Sequence, residues 1–272
     1  VRLALIITTY ERPDALSAVL ETVLAQRQSP DEIIVADDGS GPATRQVVDS
    51  FARRSPTPVV HARQAHEGFR LTRLRNLAIR RATAEYLVFV DGDMLLHASF
   101  VADHRACARP GYFTQGVRVL LDEGRTRAAL REPPAPIRPW SSGLGGLRRL
   151  YAIHAPRLAV AVRLPANGFI ALKGCNQGFW RDDLVAVNGF NEDIVGWGSE
   201  DKELCARLRK AGIRRQTLLF GGIAYHLAHP PAARDRREAN QRILAQTLSS
   251  GRLRCERGLD GHLDEVRDAG TR

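Results

Sequence analysis

An α/β fold built on a mostly parallel sheet, with helices on its faces, is predicted by three features of this 272-residue chain. Apolar runs of strand length alternate with stretches of helical period over residues 3–91, the pattern of successive βαβ units. Clusters of small polar and acidic residues, TTY, DDGS and DGD, follow three of those runs. In such sheets ligands sit outside the carboxyl ends of the strands, so these clusters are expected to line one crevice. The composition, 44% hydrophobic, supports a continuous core.

The elements follow in order. LALIITT (3–9) is a run buried on both faces, and Pro13 stands in the first turn of the helix carried by DALSAVLETVLAQ. EIIVADD (32–38) precedes the helix ATRQVVDSFARR, TPVVHAR (57–63) precedes LTRLRNLAIRRA, and EYLVFVD (85–91) closes the series. From 120 to 146, prolines 133, 134, 136 and 139 and glycines 143, 145 and 146 predict an irregular, mobile connection. Regular structure is expected again near Gly168: FIALKGCNQGFW, a short helix from Arg181, the turn NGFNEDIVGWG and the helix SEDKELCARLRKAG. One strand, QTLLFGGIAYH, and a last helix from 231 to about 250 complete the pattern. The polar final twenty residues are expected to fray.

The bulk properties exclude several classes. No run of about 18 apolar residues exists, and VRLALIITTYERP is interrupted too early for a secretory signal or a membrane span, so a cytoplasmic protein is expected. Cys107, Cys175, Cys205 and Cys255 form no CxxC pair and are expected to be reduced core residues. The net charge is +10, and ten basic residues face one acidic residue between 124 and 181. That excess is either a solvated surface or a face for an anionic membrane, a phosphorylated acceptor or nucleic acid. Only three lysines, Lys173, Lys202 and Lys210, accompany the many arginines, which fits a GC-rich bacterial genome.

VFVDGDMLL (88–96) sets two carboxylates at the end of a buried strand. A D-x-D triplet alone has little specificity, but at this position it can hold Mg²⁺ or Mn²⁺ through oxygen ligands and leave sites open for diphosphate oxygens. A helix cap or a salt bridge to nearby arginines is the structural alternative.

IITTYERPDAL, VADDGS, GFRLTRLRNLAIRRATAEYLVFVDGDM, NGFNEDIVGWGSEDKELCARLRKAG and AYHLAHPP occur in that order. The first three resemble the nucleotide-binding half of family 2 glycosyltransferases of the GT-A fold. The last two resemble the acceptor half of chondroitin polymerase and the β-1,4-galactosyltransferases. The resemblance implies a nucleotide-sugar-binding half over 1–118, a basic connection over 119–168, an acceptor-binding half of the same domain over 169–250 and a tail over 251–272. It further implies a metal-dependent, inverting transfer of a hexose or N-acetylhexosamine from a UDP-sugar to a hydroxyl of a glycan or lipid-linked acceptor in bacterial surface polysaccharide synthesis. Such an enzyme works in the cytoplasm or at the inner face of the plasma membrane, with Mn²⁺ or Mg²⁺ as cofactor.

The same resemblance assigns roles. Thr8, Tyr10 and Arg12 hold the nucleotide, Asp38 accepts the uracil imide hydrogen bond, and Arg70 and Arg75 stand near ribose or diphosphate or serve as structural arginines. Asp93 binds the metal, Asp91 reaches ribose or a metal-bound water, and His226 completes the metal shell. Asp201 is the general base, Glu200 binds the acceptor sugar, and Trp197, between two glycines, offers a stacking face on a hinge. A cap by Ser199 is the structural alternative for the acids of GWGSED. The departure from the family is the arginine-rich segment 124–181, which stands where a long lid or second domain is normal.

Rival readings fare less well. A sugar nucleotidyltransferase calls for a glycine-rich phosphate loop after the first strand, and ITTYERPD is not one. A nucleic-acid-binding protein calls for basic residues interleaved with aromatics, whereas aspartates crowd this crevice. A non-catalytic nucleotide-sugar binder would carry the same motifs without turnover.

Overall fold

The computed structural model describes residues 1–132, 136–144, 146–155, 158, 172–231 and 233–262. The first half alternates as predicted: β1 (Leu3–Thr9), α1 (Pro13–Leu24), β2 (Glu32–Asp37), α2 (Pro42–Arg54), β3 (Val59–Arg63), α3 (Leu71–Arg81) and β4 (Tyr86–Asp91). Pro13 and Pro42 open their helices, where a missing N–H costs nothing. Next come β5 (Met94–Leu96), α4 (Phe100–Cys107), β6 (Tyr112–Gln115), β7 (Val117–Leu120) and α5 (Glu123–Arg131). The last elements are β8 (Asn176–Trp180), α6 (Arg181–Ala186), α7 (Glu200–Lys210), β9 (Arg214–Thr217), β10 (Ile223–His226) and α8 (Arg237–Ser249).

Seven strands form the main sheet in the order β3-β2-β1-β4-β8-β6-β9, with β8 antiparallel to both neighbours. A second sheet, β5-β10-β7, stands beside it. Along β1, Leu3, Leu5 and Ile7 enter one apolar cluster and Ala4 and Ile6 another, which is why the strand is apolar throughout. β1 pairs with β2 on one side and β4 on the other in parallel register, setting Thr8 beside Asp91. The carboxyl ends of these strands therefore open onto a common crevice.

Four expectations need correction. The irregular stretch 120–146 contains α5, capped by Asp122, whose Oδ1 accepts the Arg125 N–H at 2.7 Å, and Leu121 bridges to Leu144. QTLLFGGIAYH is two strands in different sheets, because Phe220 (φ 60°) and Gly222 (φ 53°) turn the chain between β9 and β10. The last helix begins at Arg237, six residues after the expected proline. Of the tail, residues 251–262 do not fray: Cys255, Leu259 and His262 are buried, and Leu259 packs in the cluster that includes Leu74 and Leu77 of α3, while 263–272 lie outside the described residues. No disulfide joins the four cysteines among the described residues; Cys175, Cys205 and Cys255 are core residues, as expected, and Cys107 is half-buried. The resumption of structure at 168–171, and Arg157 and Arg163 of the basic segment, lie outside the described residues.

Candidate active site

Three groups of side chains meet at the carboxyl ends of β1, β2 and β4. The first surrounds Asp38. Gln64 Nε2 donates to its Oδ1 at 2.5 Å, His66 Nδ1 lies 3.2 Å from its Oδ2, and the ring of Tyr10 stacks on His66 with centroids 4.2 Å apart and planes 10° apart. The result is a carboxylate beside an aromatic platform whose outer ring, Tyr10, is 42% exposed. Neighbouring Asp37 is structural. Burial opposes its charge, but hydrogen bonds from His61 and Ser40 hold its carboxyl below the usual range.

The second group centres on Asp93. Its Oδ2 lies 3.2 Å from His229 Nε2, 3.7 Å from His226 Nε2 and 3.9 Å from Arg12 Nη1. Burial works against the charge of Asp93, yet these histidines and Arg12 keep its carboxyl below the ordinary value. Burial drives His226 down to about 4, so its ring is neutral near pH 7, while the Asp93 hydrogen bond raises His229. The two Nε2 atoms face each other at 3.3 Å, and Asp93 Oδ1 is buried with no hydrogen-bond partner among the described residues. One ligand atom from each of Asp93, His226 and His229 falls within 4.8 Å of the other two. Two imidazoles and a carboxylate with an orphaned oxygen fit a divalent transition metal, and Mn²⁺ is within their range.

The third group joins the two halves of the chain. Asp91 Oδ1 accepts from Thr8 Oγ1 at 3.2 Å and from Arg75 Nη2 at 3.3 Å. Arg75 is 1% exposed; it donates also to the Gly174 carbonyl at 3.1 Å and lies 3.7 Å from Glu200 Oε1. A Cβ at Gly174 would stand 3.0 Å from Arg75 Nη1 and 3.2 Å from Glu200 Oε1, so a larger residue would push on this pair. Burial raises Asp91 above the ordinary carboxylate range against the pull of Arg75. Burial, then the charge of Asp201, lifts Glu200 to about 7.

Glu200 and Asp201 occupy the first turn of α7, where the helix dipole favours carboxylates. Ser199 adopts φ 72° and its side chain makes no cap, so capping is not what places these acids. The chain reaches them through Gly196 (φ 77°), Trp197 and Gly198 (φ 104°), conformations open to glycine. Asn240 Nδ2 of α8 holds the Val195 and Trp197 carbonyls at 3.0 and 3.3 Å, and Arg234 lies 4.9 Å from the Trp197 ring centroid.

Each sequence-predicted residue thus has a place. Thr8, Asp91, Arg75 and Glu200 touch in one chain of contacts, Arg12, Asp93 and His226 in another, and Tyr10 and Asp38 are linked through His66. Arg75 has the structural pairing that was its alternative role. Arg70 pairs with Glu67 at 2.8 Å and donates to the Ala65 carbonyl, between Gln64 and His66 in sequence. Sequence reasoning missed His229, Gln64 and His66. The three-residue spacing of His226 and His229 in HLAH was the available signal for the first.

Several known proteins are similar to this chain. Residues 4–118 match the profile of Glycosyl transferase family 2, and residues 159–230 match that described as the N-terminal domain of galactosyltransferase. Chondroitin synthase of Escherichia coli is 28% identical over 264 residues, which cover 90% of this chain and 38% of that protein. The chain thus spans well under half the length of that relative. In fold it is similar to S. aureus TarS in complex with UDP (TM-score 0.65, 16% identity, 96% of this chain and 68% of that one). It is similar also to a mannosyltransferase of Pyrobaculum calidifontis in complex with GDP-Man and Mn²⁺ (TM-score 0.60, 19% identity, 90% and 62%). Residues 4–118 thus carry a family 2 glycosyltransferase domain, followed by a galactosyltransferase-type region, in a chain whose architecture is that of the GT-A glycosyltransferases.

Proposed function

We propose that the chain moves a sugar from a UDP-sugar to a hydroxyl of a glycan or lipid-linked glycan, with inversion and with Mn²⁺ or Mg²⁺ bound, in bacterial polysaccharide synthesis. The observation that carries this reading is the convergence of Asp93, His226 and His229, with a buried unpartnered oxygen, beside the Asp38 and Tyr10 pocket. Support also comes from relatives: UDP occupies the TarS structure and Mn²⁺ the mannosyltransferase structure. Asp38 is suited to accept an imide N–H of uracil, and the Tyr10 and His66 pair offers the base an aromatic face. Asp93, His226 and His229 would hold the metal, which when bound offsets the charge growing on a departing diphosphate.

Asp201 is proposed as the base that takes the acceptor hydroxyl proton while the new glycosidic bond forms and the bond to UDP breaks. Glu200, anchored by Arg75, would accept a hydrogen bond from the acceptor sugar, and Trp197 would stack on it. Asp91 is the weaker metal candidate, because its Oδ1 is taken by Thr8 and Arg75, and a ribose contact suits it better. The halves 1–118 and 169–250 divide donor from acceptor in this reading. The basic segment between them serves an anionic acceptor or membrane surface. No helix among the described residues is long and apolar enough to span a membrane.

The test is a donor screen. A panel of nucleotide sugars is offered with Mn²⁺, and hydrolysis and thermal shift are scored. A shift with UDP and Mn²⁺ together that neither gives alone supports the joint site; an equal shift with UDP in chelator refutes it.

A further inference from the structure

β5 and β10 form an antiparallel ribbon with Met94 opposite His226 and Leu96 opposite Ala224. Asp93 and His226 hold one end of that ribbon. At its other end, where the His97 N–H donates to the Ile223 carbonyl at 3.0 Å, stands a second set of the same chemical type. His154 Nε2 lies 3.0 and 3.2 Å from the two oxygens of Asp103, and the His97 and His154 rings are 4.3 Å apart at their centroids. One ligand atom from each of His97, Asp103 and His154 lies within 4.8 Å of the other two.

We propose that His97, Asp103 and His154 form a second metal site, structural in role, that takes a borderline divalent ion such as Zn²⁺ or Co²⁺. Two imidazoles and one carboxylate are a common donor set for such ions, and water completes the shell. Asp103 is buried, and its Oδ2 accepts the Gly222 N–H at 2.9 Å, the kind of outer hydrogen bond that fixes a ligating carboxylate. Burial, with the nearby His154 and Arg27 charges, holds His97 down to about 4, so its ring is neutral and available near pH 7.

His97 Nδ1 accepts the Ser99 N–H at 3.2 Å, a long bond that ligation at Nδ1 would replace and a half-turn of the ring would release. Tetrahedral ligands at zinc distances stand about 3.3 Å apart, a spacing that His154 and Asp103 already meet, so what remains is for that pair and His97 to close on each other. His154 retains 18% side-chain exposure and has room to do so. The ion's work is local. It ties the segment ending at Ala155, already bonded through its N–H to the Phe220 carbonyl at 2.8 Å, to α4 and to the ribbon that carries His226.

This inference does not depend on the transferase reading, and the test keeps them apart. The variant His226→Ala/His229→Ala removes the first site, and its bound Co²⁺ is counted by elemental analysis and by d–d absorption after dialysis. One equivalent is expected, against two in the unmodified chain, with a Zn²⁺-dependent rise in Tm. Adding His154→Gln should abolish the remaining equivalent and the Tm rise; if that variant does not fold, the double variant alone decides. No bound ion in the double variant, or one retained after His154→Gln, overturns the proposal.

Discussion

Arg75→Met is the perturbation that tests most severely how the two halves of the site are joined. Arg75 is buried and faces Asp91 at 3.3 Å and Glu200 at 3.7 Å. At an effective dielectric near 20 these contacts correspond to roughly 5 and 4.5 kcal/mol of attraction, part of which offsets the desolvation of the guanidinium. Removing one partner of a buried pair typically costs about 3–5 kcal/mol. Asp91 keeps 35% of its side chain exposed and is screened by solvent, so the low end, about 3 kcal/mol, is expected here. In a domain of this size that lowers Tm by roughly 6–10 °C.

The loss should depend on pH in a definite direction. Burial already raises Asp91 and Glu200, and without Arg75 both rise further. The folded variant then binds protons that the unfolded chain releases, so the penalty is full only above the variant's raised Glu200 value, itself above 7, and shrinks as the pH falls toward ordinary carboxylate values. Urea unfolding of both proteins in chelator, at pH 5 and pH 8, measures it. A loss below 1 kcal/mol, or one equal at the two pH values, refutes the ion-pair reasoning.

Further expectations concern single contacts. Because Glu200 titrates near 7, the acceptor KM should fall as pH rises from 6 to 8, and Glu200→Gln should flatten that profile. Tyr10→Ala, which removes the stack on His66, should weaken UDP binding by roughly 3- to 10-fold by calorimetry, as aromatic pairs contribute about 0.5–1.5 kcal/mol. Gly178→Ala should destabilise the protein by about 1–3 kcal/mol in urea unfolding, because the new Cβ would stand 2.3 Å from the buried Tyr86 hydroxyl.

The first half of the fold was legible because β1, β2 and β4 are buried on both faces and β1 to β4 are separated by helices opened by proline or flanked by polar turns. The later strands were not, because β5, β6, β7, β9 and β10 are three or four residues long and their pairing is set by distant partners. QTLLFGGIAYH shows the difficulty: an apolar run carries no mark of changing sheets, and only the glycine pair hinted at the turn. The cap at Asp122 could have revealed α5, but the prolines after it outweighed that signal. In the site, carboxylates at strand ends announced themselves. His66 did not, because stacking on Tyr10 is a tertiary event, and Asp103 meets His154 across 51 residues of chain.

The most direct measurement is a calorimetric UDP titration in Mn²⁺ set beside a transfer assay, for Asp93→Ala, His229→Ala and Asp201→Asn. Asp93 and His229 belong to the proposed metal site, so both substitutions should weaken UDP binding and abolish transfer together. Asp201→Asn keeps the shape of the first turn of α7 and removes only the proton acceptor. UDP binding should stay near normal while transfer falls by roughly 10²–10⁴-fold. Loss of UDP binding in Asp201→Asn as severe as in Asp93→Ala would contradict the division between metal and base, and normal transfer by all three would contradict the enzyme reading itself.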